Sequence, residues 1–421
     1  MDPKTLIDTS LAIGLPVPAW FIELFRALGF TLHEVPMNLW YAGIVVAMVF
    51  YRVGGVHARR FSSRLMSQMP VIIALGVNFG IVPLLFIQVG YGQIFYPATI
   101  LMAWFWLGVV ALLIPAYYGI YIYASGLGRE GDSMAPIKRF VGWASAVCFI
   151  AIGFIFSNAL SLMENVPSWS ELWLRHSFHG AALGTALNLT DVRLVPRWLL
   201  MFGLALTTTG VWIAVDSAWF ARGESADYRS WARRYAFRVH TLGALWFGVA
   251  GAWYSLCTWS PRTIREMFLG GWAVLTVVTA LSVLGPWLLL RRKGEIGRPR
   301  AALIGLAQLL VLGLNAVSRQ VVQRHEIRPY YDLATQATDV QWGPLVGFLA
   351  AFGVGIAVVG WLIMQVARLP DGGRTFRRVR QAGDGSWEGA FRQANGGRRG
   401  HPPLRSPPAG LWLEVIQGRQ V

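Results

Sequence analysis

The sequence predicts an all-α integral membrane protein, a polytopic bundle of about nine transmembrane helices. Three observations predict it. The 421-residue chain is 55% hydrophobic and only 14% charged, its mean hydropathy is +0.48, and nine apolar stretches alternate with short loops. Each stretch is long enough to cross a hydrocarbon core of about 30 Å as a helix. The nine are Pro36–Val53, Pro70–Gly90, Ile94–Ala124, Phe140–Met163, Trp198–Phe220, Ala236–Thr258, Met267–Leu290, Ala301–Val317 and Gly343–Ala367.

The basic residues predict the orientation of the bundle. The loops after the first, third, fifth and seventh spans are rich in arginine, whereas the loop between the second and third spans has neither Arg nor Lys. The positive-inside rule therefore places the N-terminus outside and the C-terminus in the cytoplasm. We interpret the net charge of +16 as a sign of contact with membrane lipid and not of nucleic-acid binding. The predicted location is a bacterial-type cytoplasmic (inner) membrane, which the chain crosses several times.

The remaining segments divide the chain into three parts. Residues 1–35 form an N-terminal outer part, in which Pro18–His33 is apolar and predicts a helix lying on the outer membrane surface. Residues 36–367 form the transmembrane domain, and within it Trp169–Leu187 predicts a second outer surface helix. Residues 368–421 are rich in Gly, Arg and Pro and predict a disordered basic tail.

Motifs of soluble enzymes are absent from the sequence. There is no P-loop, no GxGxxG opening a helix after a strand, no HExxH and no GxSxG. The two cysteines, Cys148 and Cys257, fall inside spans, and without a CxxCH motif a covalent c-type haem is excluded. Any chemistry therefore depends on polar groups in or beside the membrane, where an ionisable group is costly.

Several polar residues are candidates for such chemistry. An Asn or Gln inside a bundle more often links helices than binds a ligand. The candidates outside the outer histidines are Asn78 and Gln88 in the second span, Asn158 in the fourth, Asp216 in the fifth, His240 at the inner start of the sixth, and Asn315, Arg319 and Gln320 at the end of the eighth.

Four of the seven histidines fall at the predicted outer face. They are His33, His176, His179 and His325. His176 and His179 are three residues apart, so in a helix they would share one face. A neutral imidazole is the usual axial ligand of haem iron. The outer face therefore predicts a haem or quinone region, and the alternative is that these histidines lie at headgroup level without a ligand.

Short segments resemble subunit I of cytochrome bd oxidase. HEVPMNLWYAG, which begins at His33, resembles the first transmembrane helix of that subunit, where a His is a haem ligand at the oxygen-reducing site. The resemblance covers about residues 15 to 367 and implies a nine-span fold with haem of b or d type. Four further segments resemble later helices of the family in the same order: Gly76–Gly92, Leu101–Trp106, Ser157–Leu162 and Asn315–Gln320.

The sequence departs from the family at residues that matter. Gln88 stands where the family has an acidic residue, and Ala316 stands where it has a haem-ligand Glu. The haem-ligand His of the fifth span aligns with about Leu200, and the quinol-binding loop has shrunk to roughly Trp259–Glu266. The resemblance therefore implies a divergent member that lacks the quinol loop.

The resulting hypothesis is a haem-binding membrane subunit that carries electrons in a respiratory complex, with oxygen reduction and enzyme activity left open. His33 is the first candidate ligand of the haem iron. The other histidines of the outer face, together with Asn78, Gln88, Arg319 and Gln320, are further candidates for binding the cofactor. The expected partners are other respiratory subunits, such as a cytochrome c or an iron–sulfur protein.

Three alternatives stay open. The bundle could be a haem-free membrane scaffold, a quinone-binding subunit, or a transporter in which Asp216, Asn78 and Gln88 line a polar path.

Overall fold

Helices make up nearly all of the structure. The computed structural model describes residues 14–127, 134–221 and 223–368, so the expected C-terminal tail lies outside the described residues, apart from Arg368. The helices are α1 Ala19–Asn38, α2 Ile44–Val53, α3 Val56–Leu101, α4 Ala103–Gly126, α5 Pro136–Glu164, α6 Trp169–Arg175, α7 Leu194–Val215, α8 Ala226–Thr258, α9 Pro261–Phe268, α10 Ala273–Ser282, α11 Leu284–Arg291, α12 Arg298–Ile327 and α13 Trp342–Arg368.

Short elements complete the described part. Two π-helical turns follow α1 and α7, and a two-residue antiparallel hairpin follows α6. Contacts divide the chain into Met1–Ile356 and Ala357–Val421, and only the end of α13 is described in the second unit. The turns are Leu39–Gly43 and Asp216–Phe220, and the hairpin strands are β1 Ser177–Phe178 and β2 Ala181–Ala182.

The all-α membrane bundle is confirmed, with fewer clear spans than expected. Seven helical segments of the described chain have the length and apolar composition to cross a membrane. Two of the nine expected spans lie in α8 and α13, which are outside this set. The seven are Ala19–Val53, Val56–Leu101, Ala103–Gly126, Pro136–Glu164, Leu194–Phe220, Ala273–Arg291 and Arg298–Ile327.

The first span begins earlier than the sequence suggested. Ala19–Val53 is one continuous helical segment, so Pro18–His33 is not a separate surface helix. It packs lengthwise against α3, with the rings of Phe25 and Phe86 5.4 Å apart. Pro36 does not end the helix, because a helix inside a membrane bundle can absorb a proline through local adjustment, and a π-helical turn follows soon after it.

The second and third spans are divided at a different place. We expected Pro70–Gly90 and Ile94–Ala124 with a loop between them, but α3 is helical on both sides of that point. Tyr91 has non-helical dihedral angles (φ −125°, ψ 27°) and marks only a kink. The helix ends instead beside Met102, whose φ of −113° and ψ of 29° separate α3 from α4.

The expected surface helix Trp169–Leu187 is helical only at its start. Helix α6 ends at Arg175, and the hairpin follows. At the hairpin turn His179 has φ +48° and Gly180 has φ +81°. These left-handed conformations are incompatible with a continuing right-handed helix. His176 and His179 therefore do not share a helix face, and that expectation was wrong.

Helices α7 and α8 approach each other closely at three glycines. A Cβ atom on Gly203 would lie 2.6 Å from the backbone nitrogen of Phe247, and one on Gly210 would lie 2.6 Å from that of His240. From the opposite helix, a Cβ on Gly243 would meet the backbone of α7 at 2.5 Å. Small residues at a membrane helix interface allow this approach of two backbones.

Candidate functional site

His33 lies on α1 and packs against α3. It follows Ala19 by 14 residues, which is about 21 Å along the helix. Its Nδ1 is 2.8 Å from the carbonyl oxygen of Gly76 on α3. A carbonyl oxygen only accepts, so Nδ1 donates its proton and the lone pair of Nε2 is left for another partner. A Cβ on Gly80 would lie 2.9 Å from Cε1 of His33, so a glycine makes room for the imidazole.

Aromatic rings border the imidazole. The ring centroids of Phe30 and Trp40 lie 6.3 Å and 5.9 Å from that of His33. The guanidinium carbon of Arg319, on α12, lies 3.5 Å from the centroid of Phe30. This is the geometry of a cation–π contact, which holds the arginine against α1. His33 and Arg319, two residues selected from the sequence, are therefore in one place.

Glu34 is a member of this site that the sequence analysis missed. Its side chain is 2% exposed, and its Oε2 has no hydrogen-bond partner among the described residues. The charge of Arg319 acts on both Glu34 and His33. Its position directly after a histidine in an apolar segment was the available signal. We call His33, Glu34, Gly76, Gly80 and Arg319 the His33 cluster.

A second polar group links three helices, α1, α7 and α12, through uncharged side chains. The amide of Gln308 donates to the hydroxyls of Thr207 and Thr208 at 3.0 Å and 3.1 Å. The amide of Asn38 donates to Thr208 at 2.9 Å. His240 is fully buried, and neither of its ring nitrogens has a partner in the described part of the chain. This arrangement fits the role of interhelical hydrogen bonds in membrane bundles.

A network of charges lies where α5 ends and α7 begins, at the predicted outer end. Arg197 donates to the carboxylate of Glu164 and, at 3.0 Å, to the hydroxyl of Tyr254. Arg193 donates to Asp191 at 3.0 Å and to Glu326 at 3.2 Å. The network joins α5, α7, α8 and α12. We call these six residues the outer clamp: Glu164, Asp191, Arg193, Arg197, Tyr254 and Glu326.

The clamp also holds the short segment Trp259–Glu266, which follows α8 and runs into α9. The carboxylate of Glu326 accepts hydrogen bonds from Ser260 at 3.0 Å and from Thr263 at 2.6 Å. The side chain of Ser260 caps helix α9 by accepting from the backbone nitrogen of Thr263. The expected short segment Trp259–Glu266 is therefore fixed against the end of α12.

The residues proposed for a polar path are not brought together by hydrogen bonds. Asp216 is 1% exposed and binds Arg64 through both oxygens, each at 2.9 Å. Asn78 is exposed and donates to the carbonyl of Ala74 in its own helix at 2.8 Å. Gln88 is partly buried, on the same helix as Asn78. Asp216 is thus engaged in a bidentate ion pair.

The outer histidines lie in separate places. His176 pairs with the hydroxyl of Thr185 at 3.0 Å, and His179 is exposed at the hairpin turn. His325 lines a crevice between α1 and α12 together with Gln320. The single outer cluster of histidines that the sequence suggested is not formed. Over the described ranges, no group of three or more His, Cys, Asp or Glu residues could hold a metal ion.

A tyrosine anchors the loop that follows α12. The hydroxyl of Tyr331 donates to the carbonyl of Gly90 at 2.8 Å. Burial, with a smaller effect of Asp332, raises the pKa of Tyr331 to about 12. The hydroxyl therefore keeps its proton and its role as a donor throughout the physiological pH range.

The fold is similar to that of a known oxidase. The structure of bd oxidase from Geobacillus thermodenitrificans matches with a TM-score of 0.57 and 12% sequence identity, over 85% of this chain and 99% of that chain. At this identity the similarity establishes a shared fold. The sequence matches no protein-family model and no curated protein.

Proposed function

We propose that this chain is a haem-binding membrane subunit that carries electrons within a respiratory complex, with His33 as the axial ligand of the iron. The observation that carries the proposal is the hydrogen bond from His33 Nδ1 to the carbonyl of Gly76. Histidine ligands of metals usually donate their second ring nitrogen to a carbonyl or carboxylate, which orients the ring. The similarity of the fold to a bd oxidase supports the same assignment.

The other members of the His33 cluster suit a haem chemically. Arg319 makes no hydrogen bond within the described ranges, and a guanidinium is well matched to a carboxylate such as a haem propionate. Glu34 keeps Oε2 free to accept a hydrogen bond. When bound, a haem supplies reversible one-electron chemistry at its iron. His33 would bind the iron, Gly76 would orient His33, and Arg319 would hold a carboxylate.

The electron donor that we propose is a partner protein. His33 lies about 21 Å from the start of a continuous helix. The short segment Trp259–Glu266, tied to Glu326, leaves little chain to cover a quinol. We therefore keep a partner protein, a cytochrome c or an iron–sulfur subunit, as the proposed electron donor.

A haem-free scaffold is the second candidate, and a specific observation favours it. Most buried charges away from the His33 cluster are already engaged, as in the bidentate pair of Asp216 with Arg64. Side chains that link helices in this way need no cofactor. A transporter or a quinone-binding subunit belongs to the same haem-free group.

The absorption spectrum of the purified full chain separates the candidates. A haem protein shows a Soret band, and His33→Ala should remove most of the absorbance of one haem while the protein still inserts, because a coordination bond is lost. His176→Ala and His325→Ala are the matched controls and should keep their haem.

Two outcomes would count against the proposal. A wild-type chain without any Soret band would support the scaffold, and extraction of bound quinone from that sample would identify a quinone-binding subunit. Unchanged haem content in His33→Ala, with haem in the wild type, would move the ligand to His176, His179 or His325.

A further inference from the structure

A crevice of about 400 Å³ opens between α1 and α12 at the predicted outer end of the bundle. Its exposed lining surface is mostly apolar, Glu23, Gln320 and His325 also line it, and basic side chains stand at its mouth. The residues that matter here are Leu24 and Ala27 on α1, Val317, Val321 and Arg324 on α12, and Arg328 just after it.

Along α12 the lining changes from basic residues at the end of the helix to Val321 and Val317, with Gln320 between these two. Arg324 and Arg328 lie at the end of α12, whereas Val321 and Val317 lie progressively further from that end. From Val317 to Arg328 the lining extends about 16 Å along the helix axis. A charged mouth above an apolar wall of this length matches an amphiphile with an anionic head and an acyl chain.

The mouth keeps a net positive charge. Asp332 forms an ion pair with Arg328 at 3.0 Å and a longer one, at 3.9 Å, with Arg324, whose side chain is 44% exposed, so two arginines share one carboxylate. The one carboxylate in the lining, Glu23, is paired with Arg26 at 3.4 Å and accepts a hydrogen bond of 2.5 Å from the hydroxyl of Tyr91. Arg324 is thus available to an anion from outside the chain.

A second crevice of about 550 Å³ adjoins the first. The two share Glu23, Leu24 and Arg324, so Arg324 stands between them. Trp20 lines the second crevice and Trp272 lines the first. Tryptophan is enriched at the level of lipid headgroups, which agrees with a mouth at the membrane surface.

We propose that these crevices bind one anionic phospholipid of the surrounding bilayer, with its phosphate at Arg324 and its acyl chains along α1 and α12. The site is independent of haem binding at His33. Its ligand is a lipid and not free phosphate, because the apolar walls contribute as well as the arginines.

The test is native mass spectrometry of the full chain released from nanodiscs that contain phosphatidylglycerol and phosphatidylcholine in equal amounts. We expect one phosphatidylglycerol to be retained in preference. Arg324→Gln should lower its retention about fivefold, the usual effect of one basic residue near a membrane surface. Val321→Trp should also displace the lipid, because it fills the apolar wall while the charges remain. Arg291→Gln, an exposed arginine at the end of α11, is the matched control and should change nothing.

Other outcomes would overturn the proposal. They are equal retention of the two lipids, retention unaffected by either crevice variant, displacement by millimolar inorganic phosphate alone, or a quinone found in place of the phospholipid. Size-exclusion profiles and thermal unfolding of each variant verify that the protein is folded, and Val321→Trp keeps the test valid if Arg324→Gln does not fold.

Discussion

The outer clamp and the His33 cluster each bring a buried glutamate near an arginine of another helix, but they differ in hydrogen bonding. In the clamp, Arg197 donates to Glu164 and to Tyr254, and only its Nη1 lacks a partner among the described residues. In the His33 cluster, Arg319 makes no hydrogen bond within the described chain, and Glu34 has an unpartnered Oε2. Both regions thus contain a buried glutamate and an arginine, but only in the clamp are the two hydrogen-bonded to each other.

The difference separates a structural role from a functional one. A buried charge is tolerated when it is hydrogen-bonded to a partner of opposite charge, as Arg197 is to Glu164, and removing one partner then leaves an uncompensated charge. A buried polar group that lacks a hydrogen-bond partner destabilises the fold. Proteins tolerate such unpaired groups mainly at functional sites. The His33 cluster is therefore a better candidate for a ligand-binding site than the outer clamp.

The largest expected effect is the on-or-off activity of topology reporters, which tests on which side of the membrane the clamp lies. A reporter fused near Ser168 or Ser260 should be active only outside, and one fused after Arg234 or Arg292 only in the cytoplasm, because the basic loops stay inside. Paired reporters, one active on each side, measure this as an on-or-off result. An external signal from the Arg292 fusion would reverse the orientation and place the clamp inside.

Breaking the clamp should be strongly destabilising. Arg197→Leu leaves Glu164 buried without its partner, and we expect the free energy of unfolding to fall by about 3–5 kcal/mol. The measurement is denaturant-induced unfolding in detergent micelles. A loss below about 1 kcal/mol would show that the clamp is not a stabilising network and would remove the contrast between the two regions.

Replacing the arginine of the His33 cluster should lower the free energy of unfolding much less. Arg319→Met removes a cation that makes no hydrogen bond and keeps an apolar stem over Phe30, so we expect about 1 kcal/mol or less. In a sample that contains haem, the variant should retain less of it. A stability loss equal to that of Arg197→Leu, with haem content unchanged, would assign both arginines the same structural role.

The smallest effect is expected at an exposed pair near the clamp. Arg175 and Glu171 form an ion pair in which both side chains are more than 60% exposed. Exposed pairs contribute roughly 0–1 kcal/mol. Arg175→Gln should therefore leave the unfolding curve almost unchanged and serves as the control for Arg197→Leu. If Arg175→Gln lost several kcal/mol of unfolding free energy, exposure would not explain the order of the stability losses among the three arginine variants.

The fold class followed from hydropathy, but several element boundaries did not. Pro36 was expected to begin a span, although a proline inside a membrane bundle need not end a helix. The polar stretch near Gly92 looked like a loop, yet only Tyr91 departs from helical geometry. The turn at His179 and Gly180 depends on left-handed backbone angles that hydropathy does not report.

The site was predictable only in part. His33 was selected from the sequence as the first candidate ligand, and the structure places it against Gly76 and Gly80. The start of α1 at Ala19, which places His33 well inside a helix, was not visible in the sequence. Glu34 was missed because the charge of one residue does not reveal whether a partner from a distant helix will neutralise it.

The close approach of α7 and α8 has a consequence for natural variation. Gly203, Gly210 and Gly243 lie so close to the opposite backbone that even a methyl group would force the helices apart. Substitution at these three positions should therefore be rare in distant relatives, while lipid-facing positions such as Val249 are free to drift among apolar residues. Two glycines seven residues apart on one helix, matched by a third on the next, form a pattern by which kinship could be recognised where overall identity is too low to reveal it.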